Sequence, residues 1–481
     1  MSEAISAIRP SGDKLTPPDG CGRRSAARLV SLAVLTALAL PPPVHAQQGG
    51  APKLNVIRDA EIEELLRDYT RPILRAAKLG GQNVEVVIIG DRSFNAFVAD
   101  ARRIFVNVGA LYESDTPNQI IGVLAHEAGH IAGGHLARMR EQISNAQTAA
   151  IVAMLLALGG AAAGAATNSP GMAQALPGLV LGPQEIIRRS LLGYARQQEE
   201  SADRAAISFL DATGQSSKGM LETFARIADQ QMFLTRSVDP YTMSHPLPRE
   251  RVATLESLAR NSPHFNKPDS PQLQFRHEMM RAKLAGFIER PEAVMRRYPQ
   301  SNTSLPARYA RAISSYRFGN VNSAVAGIDA LIAEQPNNPY FHELKGQALL
   351  ESARARDAIV PLRRAVALSN GSPLIRMMLG QALVQSGDNS LADEAVGELR
   401  QALAREPNAP IGYRQLAIAL GRKGDRAGAD LASAQASFNE GDFSTARQLA
   451  ARAQRTLAKG TPGWLKAEDI VSYRPPKIGQ N

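Results

Sequence analysis

The chain has 481 residues, too many for one ordinary domain, and 44% are hydrophobic against 21% charged, the balance of a folded protein rather than a disordered or fibrous one. Its formal net charge is +10, yet the basic residues form no cluster interleaved with aromatics, so no nucleic-acid partner is expected. A single cysteine, Cys21, rules out a disulfide framework and a set of thiolate metal ligands.

Residues 1–46 are expected to be a secretory signal. Arg23, Arg24 and Arg28 precede the apolar run LVSLAVLTALAL, Leu29 to Leu40, and Val44-His45-Ala46 offers a small-residue cleavage site. Twelve residues are too few to span a bilayer. Cleavage removes Cys21, and the loss of five basic and three acidic residues leaves +8. That charge favours acidic protein surfaces or peripheral contact with anionic lipid.

A first folded domain is expected over 47–265. Helical periodicity runs from about Ile57 to Leu79, and VEVVIIG, Val84 to Gly90, is a compact β-branched strand. NAFVADARRIFVNVGAL alternates around a turn, predicting two strands, the second from Arg103 to Val108 at a sheet edge. Asp115, Thr116 or Asn118 is placed to cap a helix beginning near Gln119.

That helix carries the chemistry, in HEAGH. Residues four apart share a helix face, so His126 and His130 can present imidazoles to one ion. Glu127 lies beside that face, where it can take the proton of an attacking water instead of ligating the metal. A third ligand is needed. A histidine six residues after His130 would complete a metzincin set, but that position is Leu136, and His135 falls one short. The alternative is a carboxylate on a later helix. YARQQEESADRAAISFLDATG, Tyr194 to Gly214, offers Glu199 with Asp203 four residues on, and Glu200 as a competitor. Glu199 is preferred as ligand because it alone has the i+4 carboxylate; Asp203 would hydrogen-bond a ligand histidine or donate a proton.

Between these helices, Gln142 to Gln184 holds no ionisable side chain, and Ala149 to Ala166 is apolar enough to suggest a membrane span. A single crossing would put His126 and Glu199 on opposite sides of the bilayer, so 142–184 is expected to be an apolar, lid-like insert. After a helical linker at 266–305 the chain becomes repetitive. Gly346 and Gly380, and Pro339 and Pro373, are 34 apart, while Ala365 and Ala402 are 37 apart. This period predicts a tetratricopeptide-repeat solenoid over 306–457, followed by a tail at 458–481. The fold class is therefore mainly α: a small α+β domain carrying HExxH, followed by an all-α tetratricopeptide-repeat solenoid.

HEAGH, EESAD about seventy residues later, and SHPLPRERV, Ser244 to Val252, together resemble the gluzincin superfamily that contains HtpX and the prenyl-protein CAAX proteases. With a signal and trailing repeats, the chain looks most like the superfamily's periplasmic β-barrel assembly-enhancing branch. The resemblance implies one Zn2+ per chain held by His126, His130 and Glu199, with Glu127 as general base, Asp203 as proton donor and His245 as a regulatory histidine near the metal. His245 has two readings: an ordinary loop histidine held in extended chain by Pro246, or a switch, because two histidines and a glutamate leave a fourth position open, which an imidazole can block. Arg251 would then stabilise the developing oxyanion when that loop swings away. The branch further implies unfolded outer-membrane proteins as substrates, the β-barrel assembly machinery as a partner of the repeats, and a Gram-negative periplasmic location. The rival reading is a repeat-based chaperone or assembly adaptor with a latent protease site.

Overall fold

The computed structural model describes residues 55–145, 148, 172–233 and 240–475. The expected signal with Cys21, and the apolar stretch 149–166, lie outside the described residues.

The first helix starts later than periodicity suggests. Val56–Ile57 forms strand β1, and helix α1 spans Ala60–Ala76. Asp59 divides the two, its extended backbone and carboxylate accepting the Ile62 amide at 2.9 Å as an N-cap. Along α1, Ile62, Leu65, Leu66, Tyr69 and Ile73 form one buried stripe. The stripe packs into a core shared with a four-stranded sheet and the helix that carries HEAGH.

Strands β2 (Glu85–Ile89), β3 (Ala96–Asp100) and β4 (Arg103–Asn107) complete that sheet in the order β1-β2-β4-β3. The expected edge position of Arg103 to Val108 is corrected here. Strand β4 is internal, parallel to β2 on one side and antiparallel to β3 on the other, and Val108 already begins helix α2 (Val108–Glu113). The cause lies in its residues: Ile104, Phe105, Val106 and Asn107 are all buried, as suits a strand covered on both faces. The edges are β1 and β3, and β3 bends at an irregularity between Val98 and Asp100.

Helix α3 (Pro117–Ala132) follows, opened by Pro117 after Thr116 rather than near Gln119. Of the three expected caps, Thr116 stands at the N-cap with extended backbone but makes no side-chain bond to the helix. Asn118 instead accepts the Gly219 amide at 2.6 Å and donates to the Ser216 carbonyl, tying α3 to a later helix. Helix α4 (Met172–Ala212) is 41 residues long, so the last part of the expected insert, 172–184, is helical. Helices α5 (Lys218–Phe233), α6 (Pro240–Ser244) and α7 (Arg249–Arg260) close the first core. No helix among the described residues is long and apolar enough to cross a membrane.

The stretch 266–305 is more than a linker. Its main helix α8 (Pro271–Ile288) gives Met280 and Leu284 to the first core and Met279 and Ala282 to a second core with the following helices. From Leu305 the chain runs as antiparallel helix pairs: Leu305–Phe318 with Val321–Glu334, Pro339–Glu351 with Ala355–Leu368, Pro373–Gln385 with Ala392–Arg405, and Pro410–Arg422 with Arg426–Asn439. Phe443–Gln454 and Pro462–Ser472 add a further pair, so the stretch read as a tail holds a helix. The 34-residue spacing has a packing cause. A Cβ on Gly346 would stand 2.4 Å from Leu362 Cγ, and one on Gly380 would stand 2.5 Å from Leu399 Cγ. Only glycine lets each pair close.

The two parts of the chain meet at a cluster of buried charge. Lys283 Nζ on α8 lies 2.7 Å from Asp59, 3.2 Å from Glu61 and 3.9 Å from Glu343, which belongs to the second helix pair. Tyr309 donates to Glu61 at 2.9 Å, and Tyr340 donates to Glu64. Burial raises the Glu343 carboxyl from 4.5 to about 8, although Lys283 pulls the other way. An acid with a raised folded pKa binds more protons folded than unfolded, so its contribution to stability falls as pH rises from about 4.5 to about 8. The variant Glu343→Gln should lose that dependence. Urea midpoints of both proteins across this range should converge or cross as pH rises, with the variant gaining; parallel curves would show that Glu343 does not titrate there.

Candidate metal centre and active site

Helix α3 is buried almost all round, so its polar side chains are exceptions that call for partners. His126 and Glu127 are each 0% exposed. The partners come from α4. The two helices approach closely because position 129 is glycine: a Cβ there would lie 2.9 Å from the Ala202 carbonyl oxygen. This contact brings the Glu199 and Asp203 side chains against His126 and His130.

Four donor atoms converge. His126 Nε2 is 3.0 Å from His130 Nε2, 3.4 Å from Glu199 Oε2 and 3.4 Å from His245 Nδ1. His130 Nε2 is 3.4 Å from Glu199 Oε1, and His245 Nδ1 is 3.1 Å from both Glu199 oxygens. Bonds of ~2.0–2.2 Å to a tetrahedral zinc ion would set donors roughly 3.3–3.6 Å apart. The four side chains stand close to that spacing, at 3.0–3.4 Å for the pairs above, and offer the nitrogen-oxygen chemistry of a metal site, with all four donor atoms within 4.8 Å of one another. Glu200, the competitor, points away and pairs with Arg204 at 3.0 Å, exposed to solvent.

A second ring of contacts orients the first. Asp203 Oδ1 lies 2.9 Å from His126 Nδ1, and Asp203 also accepts two bonds from Arg251, at 2.7 and 2.8 Å. Arg251 reaches Glu199 at 2.9 Å and donates to the Pro246 carbonyl at 2.9 Å. Arg251 is thus held among Asp203, Glu199 and the loop bearing His245, rather than standing free to meet a substrate. On the other side, His135 Nδ1 contacts His130 Nδ1 at 3.0 Å.

These contacts set the protonation of the site before any ion binds. Burial disfavours a charged His126, but Asp203 and Glu199 outweigh it and raise the imidazole to about 9. Burial dominates at His130 and lowers it to about 3. Burial opposes ionisation of Glu199 and Asp203 too, yet hydrogen bonds from the histidines and from Arg251 hold both below the usual carboxylate range. Glu127 differs. Burial raises it, and neither of its oxygens is hydrogen-bonded within the described residues; His245 Nε2 is 3.5 Å away. A buried carboxylate left without a bond beside a metal cradle fits a base that meets its partner only when substrate and water enter.

Residues 57–259 match the family described as Peptidase family M48. That stretch is similar to an M48 peptidase domain. The matched stretch contains every candidate site residue from His126 to Arg251, and the family supports a metalloprotease. The chain is similar to the β-barrel assembly-enhancing protease of Escherichia coli strain K12, 25% identical over 351 residues, covering 72% of this chain and 69% of that protein. The putative counterpart of Vibrio cholerae is also 25% identical, over 298 residues, 60% of this chain and 58% of that one. Among solved structures, a crystal structure of MamA is 19% identical with a TM-score of 0.27, covering 33% of this chain and 90% of that one.

Two neighbours of the M48 site are not reached by motif spacing. Spacing weighs His135 only as a ligand, a role it cannot fill, and gives no reason to single out Gln198, which donates to the His135 carbonyl at 3.2 Å. The one signal in the sequence is the pair of glycines before His135, which break the helix and change the register.

Proposed function

We propose that this chain is a zinc endopeptidase in which His126, His130 and Glu199 hold the ion and Glu127 is the general base. One observation carries the reading: a four-cornered set of nitrogen and oxygen donors beside a fully buried, unbonded glutamate. A bound zinc ion supplies a Lewis acid for the scissile carbonyl and lowers the pKa of water. Glu127 takes the proton from the attacking water, and its raised pKa suits it to release that proton to the leaving amine. Asp203 fixes His126 through Nδ1 and, with its ionised form stabilised by Arg251, works as an orienting acceptor rather than a proton donor. Edge strand β3 is the ladder on which an extended, unfolded chain can add a strand.

His245 occupies both places that such a reaction needs. Its Nδ1 takes the fourth corner, and its Nε2 lies beside Glu127. We read this arrangement as the closed state of a self-restrained protease. His245 follows the short helix α6, its ring centroid 4.8 Å from that of Tyr241 and tilted 32° to it, so a shift of this one segment would open the fourth corner and free Glu127 together.

The relatives' names suggest what such an enzyme acts on. We take the substrates to be unfolded or misassembled outer-membrane proteins in the Gram-negative periplasm, reached after export by the 1–46 signal. The helix pairs, read as tetratricopeptide repeats, would contact the β-barrel assembly machinery. A closed site also suits the second reading, a repeat-based chaperone or adaptor whose protease is normally latent.

Purified Glu127→Gln should retain zinc and fold but lose cleavage of an unfolded outer-membrane protein by about 10²- to 10⁴-fold; undiminished cleavage would remove Glu127 from the mechanism. The variant His245→Ala should raise basal cleavage of a bystander unfolded protein with one zinc still bound. Unchanged or lower cleavage at full zinc content would leave His245 without a restraining role.

A further inference from the structure

The two histidines of α3 are supported unequally. His126 turns its Nδ1 to the carboxylate of Asp203, the charged partner familiar at zinc sites. Among the described residues no carboxylate stands at Nδ1 of His130; what stands there, at 3.0 Å, is Nδ1 of His135. Two ring nitrogens at that distance share one proton between them, and the site decides which carries it. His130 Nε2 faces the donor cluster and must present a lone pair to an ion, so the His130 proton sits on Nδ1. His135 Nδ1 is then the acceptor, and the His135 proton sits on Nε2.

The backbone is built to make this contact. Helix α3 stops at Gly133, and Gly134 adopts the left-handed conformation with φ of 61°, which swings the next residue back along the helix. A Cβ on Gly133 would stand 2.3 Å from His135 Nε2, so the glycine vacates the space that the ring occupies. His135 is 4% exposed, and its carbonyl accepts the bond from Gln198, the residue before Glu199. Its place is thus fixed from both helices that build the metal cradle.

We propose that His135 is a positioning residue for His130, accepting its Nδ1 proton and so aiming Nε2 at the ion. A neutral imidazole in this role pulls less on the proton than a carboxylate would, which leaves His130 the weaker donor of the two α3 histidines. The inference rests on the zinc site proposed above, and its test separates the two.

The measurement is the zinc dissociation constant of the full chain, by chelator competition, with the visible spectrum of the Co2+ form as a second readout. His135→Ala should weaken zinc by roughly 10- to 100-fold and alter the cobalt spectrum, while the thermal transition of the metal-free protein moves little. Rescue discriminates hydrogen bonding from packing. An asparagine oxygen falls near the position of Nδ1 and a glutamine oxygen near that of Nε2, so His135→Asn should restore affinity and His135→Gln should not. Gly133→Ala gives an independent check, because its φ of −72° accepts alanine and the nearest atoms its Cβ would meet are those of the His135 ring; it too should weaken zinc. Wild-type affinity in His135→Ala, or equal loss in the asparagine and glutamine variants, would overturn the proposal while leaving the zinc site standing. A wild-type protein that binds no zinc would overturn both.

Discussion

The close passage of α3 over α4 at Gly129 and Ala202 is the constraint from which the rest of the site follows. A Cβ at position 129 would press on the α4 backbone and force the helices apart. The four donor atoms stand 3.0–3.4 Å from their neighbours, so even a small separation would take Glu199 out of reach of the histidines. The helical spacing then does the remainder. Glu199 meets the donor cluster, Asp203 one turn on meets the back of His126, and Arg251 from α7 joins the two carboxylates. Burying so many charges is costly unless each finds a partner, and among the described residues Glu127 is the carboxylate of this site that accepts no hydrogen bond, with His245 Nε2 3.5 Å away. The exception marks where reaction chemistry would supply the missing bond.

The same logic recurs at the junction with the helix pairs. Lys283 is buried among Asp59, Glu61 and Glu343, which come from the start of α1 and from the second helix pair. Such clusters are poor sources of net stability, because desolvation offsets most of the attraction. What they supply is geometry: one buried ammonium meets carboxylates from both parts of the chain at once. Glu343 Oε2 has no hydrogen bond within the described residues, and the carboxyl is correspondingly raised, so it is the weakest member of the set. Tyr309 and Tyr340 extend the contact along α1 through Glu61 and Glu64. Helix α1 is therefore also the surface on which the helix pairs are seated.

Much of this is legible in the sequence because the patterns are local. HEAGH fixes a face by helical spacing, and its i+4 partner alone distinguishes Glu199 from Glu200. The 34-residue period is visible because glycine recurs where helices cross. What sequence misses is long-range. Strand β4 follows β3 through a tight turn, and nothing local says that β2 will pair on its other side and make it internal. The onset of α1 is hidden because Asp59, inside an apolar-periodic run, follows a strand as well as capping a helix. Motif spacing tests His135 as a ligand and nothing else, and the contacts of Arg251 and His245 reach across 48 and 119 residues, which spacing cannot reveal.

The zinc K-edge X-ray absorption spectrum of the purified full-length protein tests the site most directly. One zinc per chain with a first shell of three imidazole nitrogens and one carboxylate oxygen, at about 2.0–2.2 Å, is the expected result. His245→Ala should reduce the imidazole scattering from three rings to two without loss of the metal. Absence of zinc, or a first shell with fewer than two imidazoles, would contradict the coordination by His126, His130 and Glu199 on which the functional reading stands.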